Sequence, residues 1–299
     1  MAPSRRFNPL PRHDDMIPLD LDHLRQWIGR EETRAERLTA AIAARFNATF
    51  DRPEAPSEGE PAPSLIHLCL APDTAPTSTL GPDGHPARGG FLPPVPLPRR
   101  MWAGGHFRFH ENIRIGDTVT RHSVVRDVTV KQGRSGPLCL VTVEHRIDSG
   151  GALAVTERQD IIYRGAGPAA PPSGAPSSAT AEAAPQGRYR QAVDAGPALL
   201  FRYSALTFNG HRIHYDAPYA RAEEGYPGLV VHGPLQATLL LQFAEALRGK
   251  RPAQIGFRGL SPLFDTAGFT LHAQDEANTL RLWTAAEGGP VAMEARAEW

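Results

Sequence analysis

The sequence predicts an α+β protein built from two similar halves, each an antiparallel sheet wrapped around one buried helix. Three observations support this fold class. Each half contains a helix candidate that is apolar on nearly every side, each candidate is followed by four segments of strand character, and residues 165–187, between the halves, consist almost entirely of Ala, Pro, Ser and Gly. Such a segment cannot bury enough apolar surface to offset the entropy lost on ordering, so we interpret it as a linker. The expected domains are therefore residues 1–164 and 188–299.

The two buried helices are expected at residues 35–50 and 234–247. Thr39 is a candidate cap for the first, and Pro234 suits the first turn of the second. Apolar residues lie nearly all the way round both segments. A helix of this kind is normally surrounded by protein, which places both at the centre of their halves.

The predicted strands are segments rich in Val, Ile, Thr and Phe that are separated by glycine-containing turns. They cover residues 106–114, 118–131, 138–147 and 153–163 in the first half, and 254–260, 268–274, 279–285 and 291–299 in the second. Helices and strands do not alternate one by one, as they would in a parallel sheet. A single mixed α+β domain is the alternative. Residues 52–63 and the proline-rich residues 71–98 are expected to be loops.

The composition is that of a protein without an affinity for nucleic acid or membrane. Lys plus Arg (32) equals Asp plus Glu (32), so no overall field attracts a polyanion. No apolar run approaches the ~20 residues of a membrane helix. Residues 1–18 contain arginines but no apolar stretch, which argues against a secretory signal and for a flexible tail on a cytoplasmic protein. Cys69 and Cys139 lie in apolar surroundings and are expected to be buried thiols.

The densest polar chemistry lies in residues 201–235. Within them, residues 203–216 read YSALTFNGHRIHYD and residues 225–235 read GYPGLVVHGPL. These motifs are similar to those of the MaoC-like hydratases and dehydratases, in the branch of mesaconyl-CoA hydratases and hydroxyacyl-thioester dehydratases of type 2. WIGR at residues 27–30, followed by a helix, resembles the start of that family's degenerate first domain. The resemblance implies a double hotdog fold that acts on acyl thioesters without a cofactor or a metal.

The wider family has the motif Gly-Asp-x-Asn-Pro-x-His, whose Asp and His hold and deprotonate the attacking water. In this sequence the Asp position is Asn209, the His position is His214, the middle Asn is His211 and the Pro is Arg212. An amide can orient a water molecule but cannot take its proton. The resemblance therefore implies His214 as the base of this pair, with Asn209 positioning the water. Asp216 is a candidate to orient the imidazole.

The pair His232–Gly233 matches the family's HG pair, whose glycine donates its N–H to the thioester oxygen. It directly precedes the second buried helix, where free N–H groups and the positive end of the helix dipole converge. Hydration of an α,β-unsaturated thioester builds negative charge on that oxygen, which such donors stabilise. Gly233 also leaves the backbone open to a ligand. His214, Asn209 and Gly233 are the predicted catalytic residues.

Several basic residues are candidates for substrate binding. Arg212 and Arg202 favour a substrate carboxylate, as in a short dicarboxylic enoyl-CoA such as mesaconyl-C4-CoA. A salt bridge to Asp216 or Glu223 is the alternative for Arg212. Three further candidates, for the CoA phosphates, are otherwise solvated charges: Lys250, Arg251 and Arg258.

His211 and His232 complete the predicted binding residues, and structural roles in their turns are the alternative. A metal site formed by His211, His214 and His232 is not expected, because no carboxylate neighbours them at metal-site spacing.

The predicted function is reversible hydration of an enoyl thioester carried by CoA or acyl carrier protein. The first half has no Asx-to-His motif, so we expect it to be a cradle for the substrate, with one site per chain and a homodimer or pseudo-dimeric monomer. Residues 102–110 line the acyl tunnel or simply enter a strand. A thioesterase, with Glu245 as the only carboxylate on the buried helix, and a non-catalytic binding module are the alternatives.

Overall fold

A computed structural model describes residues 19–53, 57–133, 136–165 and 182–299. It contains one antiparallel sheet of ten strands in the order β1-β3-β4-β5-β2-β7-β10-β9-β8-β6. The strands of the first half are β1 (Glu31–Arg37), β2 (Arg99–Phe109), β3 (Thr118–Gly133), β4 (Gly136–Ser149) and β5 (Ala152–Arg164). Those of the second are β6 (Tyr189–Val193), β7 (Gln254–Gly259), β8 (Phe269–Glu276), β9 (Thr279–Ala286) and β10 (Val291–Glu298).

Five α-helices accompany the sheet in the described residues: α1 (Leu21–Arg25), α2 (Ala40–Thr49), α3 (Pro197–Leu206), α4 (Ala217–Ala222) and α5 (Gly233–Arg248). Helix α5 packs against β8, β9 and β10, and α2 packs against α3. Leu235, Leu240 and Leu241 of α5 are fully buried, as expected for a central helix. The two-part α+β architecture, with a helix inside each half of the sheet, is confirmed.

The two halves meet through β2 and β7, which pair antiparallel from Gly104–Arg258 to Arg108–Gln254. Phe107 and Phe257 stack across this junction with ring centroids 5.5 Å apart. One apolar core therefore runs through both halves, and a second, smaller core around Val141 and Tyr163 lies between the sheet and residues 91–97. In the part of the chain that the structure describes, joining the sheets in this way leaves β1 and β6 as the edge strands.

The structure differs from the prediction at several elements. Residues 35–37 belong to strand β1 rather than to the first helix, which begins at Ala40 after its Thr39 cap. WIGR is consequently followed by a strand. Strand β1 was not predicted because its sequence is mostly charged, and an edge strand can expose every second residue. Strand β6 and helix α3 were not predicted, and the first predicted strand begins earlier, at Arg99.

Three further sequence-based expectations concern the domain boundaries, the cysteines and membrane-spanning helices. The tail and most of the predicted linker, residues 1–18 and 166–181, lie outside the described residues, so the domain boundaries stay a prediction. Both cysteines are buried free thiols, as predicted. Among the described helices, none is both long enough and apolar enough to cross a membrane.

Candidate active site

The segment between α3 and α5 carries the predicted catalytic residues. After α3 the backbone turns at Phe208, which has a left-handed φ of 53°. A single 3-10 turn then covers Arg212–His214, and Asp216 caps α4 by accepting a hydrogen bond from the Tyr219 N–H at 3.1 Å. These turns bury His211, Ile213 and His214 while the chain crosses from one helix to the next.

The imidazole of His214 is held by a backbone carbonyl. Its Nδ1 lies 2.7 Å from the Val230 oxygen, and because a carbonyl only accepts, Nδ1 carries the proton. Nε2 therefore has a free lone pair and can accept a hydrogen bond. It has no hydrogen-bond partner among the described residues, and the protein does not cover it completely. Burial lowers the pKa of His214 to about 4, so the ring is a neutral base at neutral pH. Val230, not Asp216, orients it.

His214 lies against the start of α5. Its ring stacks on that of His232 with centroids 3.6 Å apart and an angle of 18° between planes. His232 is the residue before the helix, and its Nε2 lies 2.8 Å from the Ser204 hydroxyl. The N–H of Gly233, the first helical residue, has no acceptor in the described chain. The predicted base and the predicted N–H donor are thus next to each other.

The surroundings of Gly233 leave room for a Cβ. An added Cβ there would meet only the Trp102 carbonyl oxygen, at 3.5 Å, and the Met293 methyl, at 3.9 Å. Both distances are ordinary contacts, so the fold itself does not require glycine at this position. Strand β2 therefore passes beside the helix start at Trp102. The role of residues 102–110 in lining the acyl tunnel stays a prediction.

Asn209 has a structural bond that the sequence did not predict. Its side-chain oxygen accepts the His211 N–H at 3.0 Å and so closes an Asx turn. The Asn209 N–H in turn bonds to the Ser204 carbonyl at 2.8 Å. The turn gives asparagine at this position a local role beside the predicted one of positioning water.

A loop of the first half reaches this site, and sequence reasoning missed it. His85 lies with its ring centroid 4.2 Å from that of His211, which in turn lies 5.3 Å from His214. The Asp83 carboxylate lies 3.1 Å from Nδ1 of His85. Both residues belong to residues 71–98, which we interpreted only as a proline-rich loop. The available signal was an Asp and a His two residues apart in a Pro/Gly-rich segment whose other charged residues are Asp73 and Arg88.

This loop changes the reasoning about metals. The ligand atoms of Asp83, His85 and His211 lie within 4.8 Å of one another. The premise that no carboxylate neighbours these histidines is therefore wrong in the folded chain. The carboxylate is that of Asp83, which lies 128 positions before His211 in the sequence. Two imidazoles and one carboxylate are a donor set that divalent transition metals accept. The expectation of a metal-free site stays a prediction.

Arg212 is engaged within the protein. Its Nε and one terminal nitrogen donate to the same Asp216 oxygen at 3.0 and 2.8 Å, and its other terminal nitrogen donates to the Pro82 carbonyl at 3.0 Å. The guanidinium also lies 4.0 Å from the Tyr219 ring centroid. This is the salt bridge given as the alternative to substrate binding, and it ties the catalytic segment to the loop of the first half.

The other basic residues predicted to bind substrate do not contact His211, His214 or His232. Arg202 is exposed on α3 and donates to the Ala48 carbonyl at 3.3 Å. Arg251 lies over the Phe109 ring at 4.8 Å, and Arg258 pairs with Glu294 at 3.0 Å. Lys250 is exposed and bonds to Trp299 through its carbonyl. Their roles in binding CoA stay predictions.

Glu245, the carboxylate of the thioesterase alternative, lies far from His214. It is 12 residues along α5 from Gly233, a distance of about 18 Å. Its Oε1 accepts the Ser64 hydroxyl at 2.5 Å, and burial raises its pKa. It lines a separate cleft of about 330 Å³ together with Arg52 and Ser64. Glu245 therefore does not complete the site around His214.

The fold and this site define the class of the protein. A double hotdog that sets an imidazole base beside a free N–H at the start of its central helix belongs among the acyl-thioester hydratases and dehydratases. The family model of the hydroxyacyl-thioester dehydratases of type 2 matches residues 65–265, and the chain belongs to this family. The match covers the loop of the first half, the catalytic segment and α5.

Relatives and solved structures agree with this assignment. The chain is 45% identical over 274 residues to a mesaconyl-C(4)-CoA hydratase of Chloroflexus aurantiacus, covering 91% of this chain and 96% of that protein. A MaoC-like dehydratase of Phytophthora capsici has a similar fold, with a TM-score of 0.68 at 14% identity over 94% of this chain and 98% of the other. A Mycobacterium tuberculosis protein with a double hotdog fold matches with a TM-score of 0.51 at 17% identity over 90% and 95%. The predicted family and fold are confirmed.

Proposed function

We propose that the protein catalyses the reversible hydration of a short dicarboxylic enoyl-CoA. One observation carries the proposal: the acceptor nitrogen of His214 and the free N–H of Gly233 flank the same helix start. Water addition to an enoyl thioester requires a base at the β-carbon and a hydrogen-bond donor at the thioester oxygen, and these two groups supply them.

In the hydration direction, Nε2 of His214 removes a proton from water and the resulting hydroxyl adds to the β-carbon. The electron pair of the double bond moves toward the thioester carbonyl, which becomes an enolate. The Gly233 N–H donates to the enolate oxygen. The α-carbon then takes the proton from His214 as the carbonyl reforms, and dehydration follows the reverse path. Asn209 positions the water by donating to its oxygen from the side-chain N–H groups that the Asx turn leaves free.

The low pKa of His214 suits this order of reaction steps. Burial holds the ring neutral, so no proton has to leave before catalysis begins. A buried imidazole is a weak base toward free water, but the enolate forms as the imidazolium does, and the two opposite charges stabilise each other in a site of low dielectric. A donor at the enolate oxygen contributes about 2.7–4 kcal/mol to the transition state in comparable sites.

The preference for a dicarboxylic acyl group is supported by the relative and by one further arginine. The C. aurantiacus protein is a mesaconyl-C(4)-CoA hydratase. In this chain Arg100 of β2 is half-buried and hydrogen-bonds the Tyr163 hydroxyl, and it forms no ion pair with a carboxylate of the described residues. Burial is the main reason for the low pKa of His85 and His211, and the charge of Arg100 contributes to both. We assign the substrate carboxylate to Arg100 before Arg212, because Arg212 already has Asp216.

Three narrower expectations accompany this proposal. The reaction is expected to need no cofactor, since CoA belongs to the substrate, although acyl carrier protein would present the same thioester. We expect the protein to be cytoplasmic. The continuous sheet supports a chain that is already a pseudo-dimer, and the exposed edges of β1 and β6 leave room for a homodimer.

The test is an enoyl-thioester absorbance assay with mesaconyl-C4-CoA and crotonyl-CoA, run in parallel with a thiol reagent. We expect loss of enoyl absorbance without thiol release, and a preference for the dicarboxylic substrate. Thiol release would identify a thioesterase instead. No change in either channel, with binding of the thioester retained, would identify a binding module.

A further inference from the structure

The loop that brings Asp83 and His85 to the site is rigidly docked on the catalytic segment. The Arg212 N–H donates to the Asp83 carbonyl at 2.9 Å, and Arg212 also bonds to the Pro82 carbonyl. Gly84 has a φ of +86°, and a Cβ on it would lie 1.9 Å from the Gly210 carbonyl oxygen. Only two glycines in contact allow the loop and the segment to approach so closely.

Asp83 and His85 form an oriented carboxylate–imidazole pair. One carboxylate oxygen accepts the His85 backbone N–H at 3.0 Å, and the other lies 3.1 Å from Nδ1 of the ring. Burial opposes ionisation of Asp83, but the hydrogen bonds from the His85 ring and backbone outweigh it and lower the pKa of the carboxyl. Burial likewise lowers the pKa of His85, so the neutral ring donates from Nδ1 and keeps Nε2 as an acceptor.

This pair and His214 belong to one cluster. The rings of His85, His211, His214 and His232 follow one another with centroid distances of 4.2, 5.3 and 3.6 Å. His85 comes from the first half of the chain and the other three from the second. The site is therefore built from both halves, and the first half supplies more than a cradle.

The cluster contains a carboxylate where the catalytic motif has lost one. Asn209 occupies the family's Asp position, and its side-chain oxygen closes the Asx turn to His211. A neutral amide with one oxygen already bonded holds a water molecule less firmly than a carboxylate does. Asp83 restores a negative charge to the site. By accepting the hydrogen bond from Nδ1 of His85, it leaves Nε2 of that ring as the acceptor.

We propose that His85 is a further catalytic residue, which accepts a hydrogen bond from the attacking water while His214 takes the water's proton. With both hydrogens of the water bound to imidazole nitrogens, an oxygen lone pair is directed at the β-carbon. No proton is transferred to His85, so the proton still passes from water to His214 and then to the α-carbon. Asp83 is a positioning residue, because it acts only by keeping the proton on Nδ1 of His85. The proposal rests on the hydratase function proposed above.

The experiment compares His85→Ala, His85→Gln and Asp83→Asn with wild type, using His23→Gln, at an exposed position in α1, as the matched control. We expect His85→Ala to lower kcat about 10²-fold with KM changed less than about threefold, as for loss of a group that acts mainly in the transition state. His85→Gln, which retains an acceptor, should recover part of this loss, and Asp83→Asn should lose less than His85→Ala. Added imidazole should partly restore His85→Ala but not Asp83→Asn, and a merely structural role would give no such rescue.

Each remaining outcome overturns the proposal in a recognisable way. If the kcat of a folded His85→Ala stays within about threefold of wild type, His85 is not catalytic. If the wild-type activity is removed by a chelator and restored by zinc, Asp83, His85 and His211 hold a metal instead of a water. If wild type hydrates neither mesaconyl-C4-CoA nor crotonyl-CoA, the hydratase function itself fails, and this result is distinct from a loss confined to the variants.

Discussion

The Nδ1 atom of His214 lies 2.7 Å from the carbonyl oxygen of Val230, which leaves Nε2 as the free acceptor of the ring. Val230 lies three residues before Gly233, so one short segment both selects the tautomer of the base and begins the helix whose N–H faces the substrate. The base and the donor are positioned together because both depend on residues 230–233.

Replacement of His214 by Ala should lower kcat for hydration by about 10²-fold or more, because the site then lacks its general base. The initial rate of enoyl absorbance change measures this effect. His23→Ala, at an exposed position in α1 and outside the site, should retain wild-type activity. A His214→Ala protein as active as wild type would contradict the mechanism.

Gly233→Ala should leave the fold stable but reduce kcat/KM about 10²-fold, because the added methyl group lies next to the N–H that the thioester oxygen is proposed to approach. The contacts of 3.5 and 3.9 Å predict an almost unchanged thermal midpoint. Gly289→Ala, whose Cβ would meet Ala286 at 3.4 Å or more, is the control in a distant turn. Equal activity of both variants would show that the thioester does not approach the backbone closely at Gly233.

Gly84→Ala should loosen the loop of the first half, because a Cβ 1.9 Å from the Gly210 oxygen forces loop and catalytic segment apart. We expect a loss of about 1–3 kcal/mol in unfolding free energy, together with a fall in kcat. Urea denaturation and the absorbance assay measure the two effects. Gly90→Ala, in the same loop but with no atom within 4 Å of the added Cβ, should change neither.

Arg100→Gln should lower kcat/KM for mesaconyl-C4-CoA about 10- to 100-fold while leaving crotonyl-CoA nearly unaffected, because only the former has a carboxylate to lose its partner. Arg212→Gln is expected to lower kcat/KM for both substrates by the same factor, since it removes a structural ion pair with Asp216. A selective loss in Arg212→Gln instead would assign the substrate carboxylate to Arg212.

Stability should fall with acidification between pH 6.5 and about 4. Burial lowers the pKa of His214 from 6.5 to about 4, and His85 and His211 also have a pKa below 6.5 because they are buried. In this range the unfolded chain binds protons that the folded chain excludes, so protons favour unfolding. His214 alone accounts for about 3 kcal/mol by this shift. Urea denaturation at pH 7 and pH 5 measures the effect, and His214→Gln should show a shallower pH dependence; equal stability at both values would contradict the buried neutral rings.

The motif residues were predictable because they are contiguous in the chain. His214, Asn209 and Gly233 lie within 25 positions, and their spacing alone shows the family resemblance. The central helices were found for a similar reason, since α5 is apolar on every side. Strand β1 was missed because its charged sequence carries no apolar alternation, and its pairing with β3 determines its structure.

By itself the sequence determined the family, the two-part α+β architecture, the base histidine and the helix start beside it, because each depends on local periodicity or on a continuous motif. Only the tertiary structure decided which groups surround that histidine. Asp83 and His85 are more than 120 positions from His214, and Arg212 is neutralised by Asp216 instead of facing a substrate. The physical reason is that close packing of loop against segment, through Gly84 and Gly210, joins residues that no spacing along the chain relates.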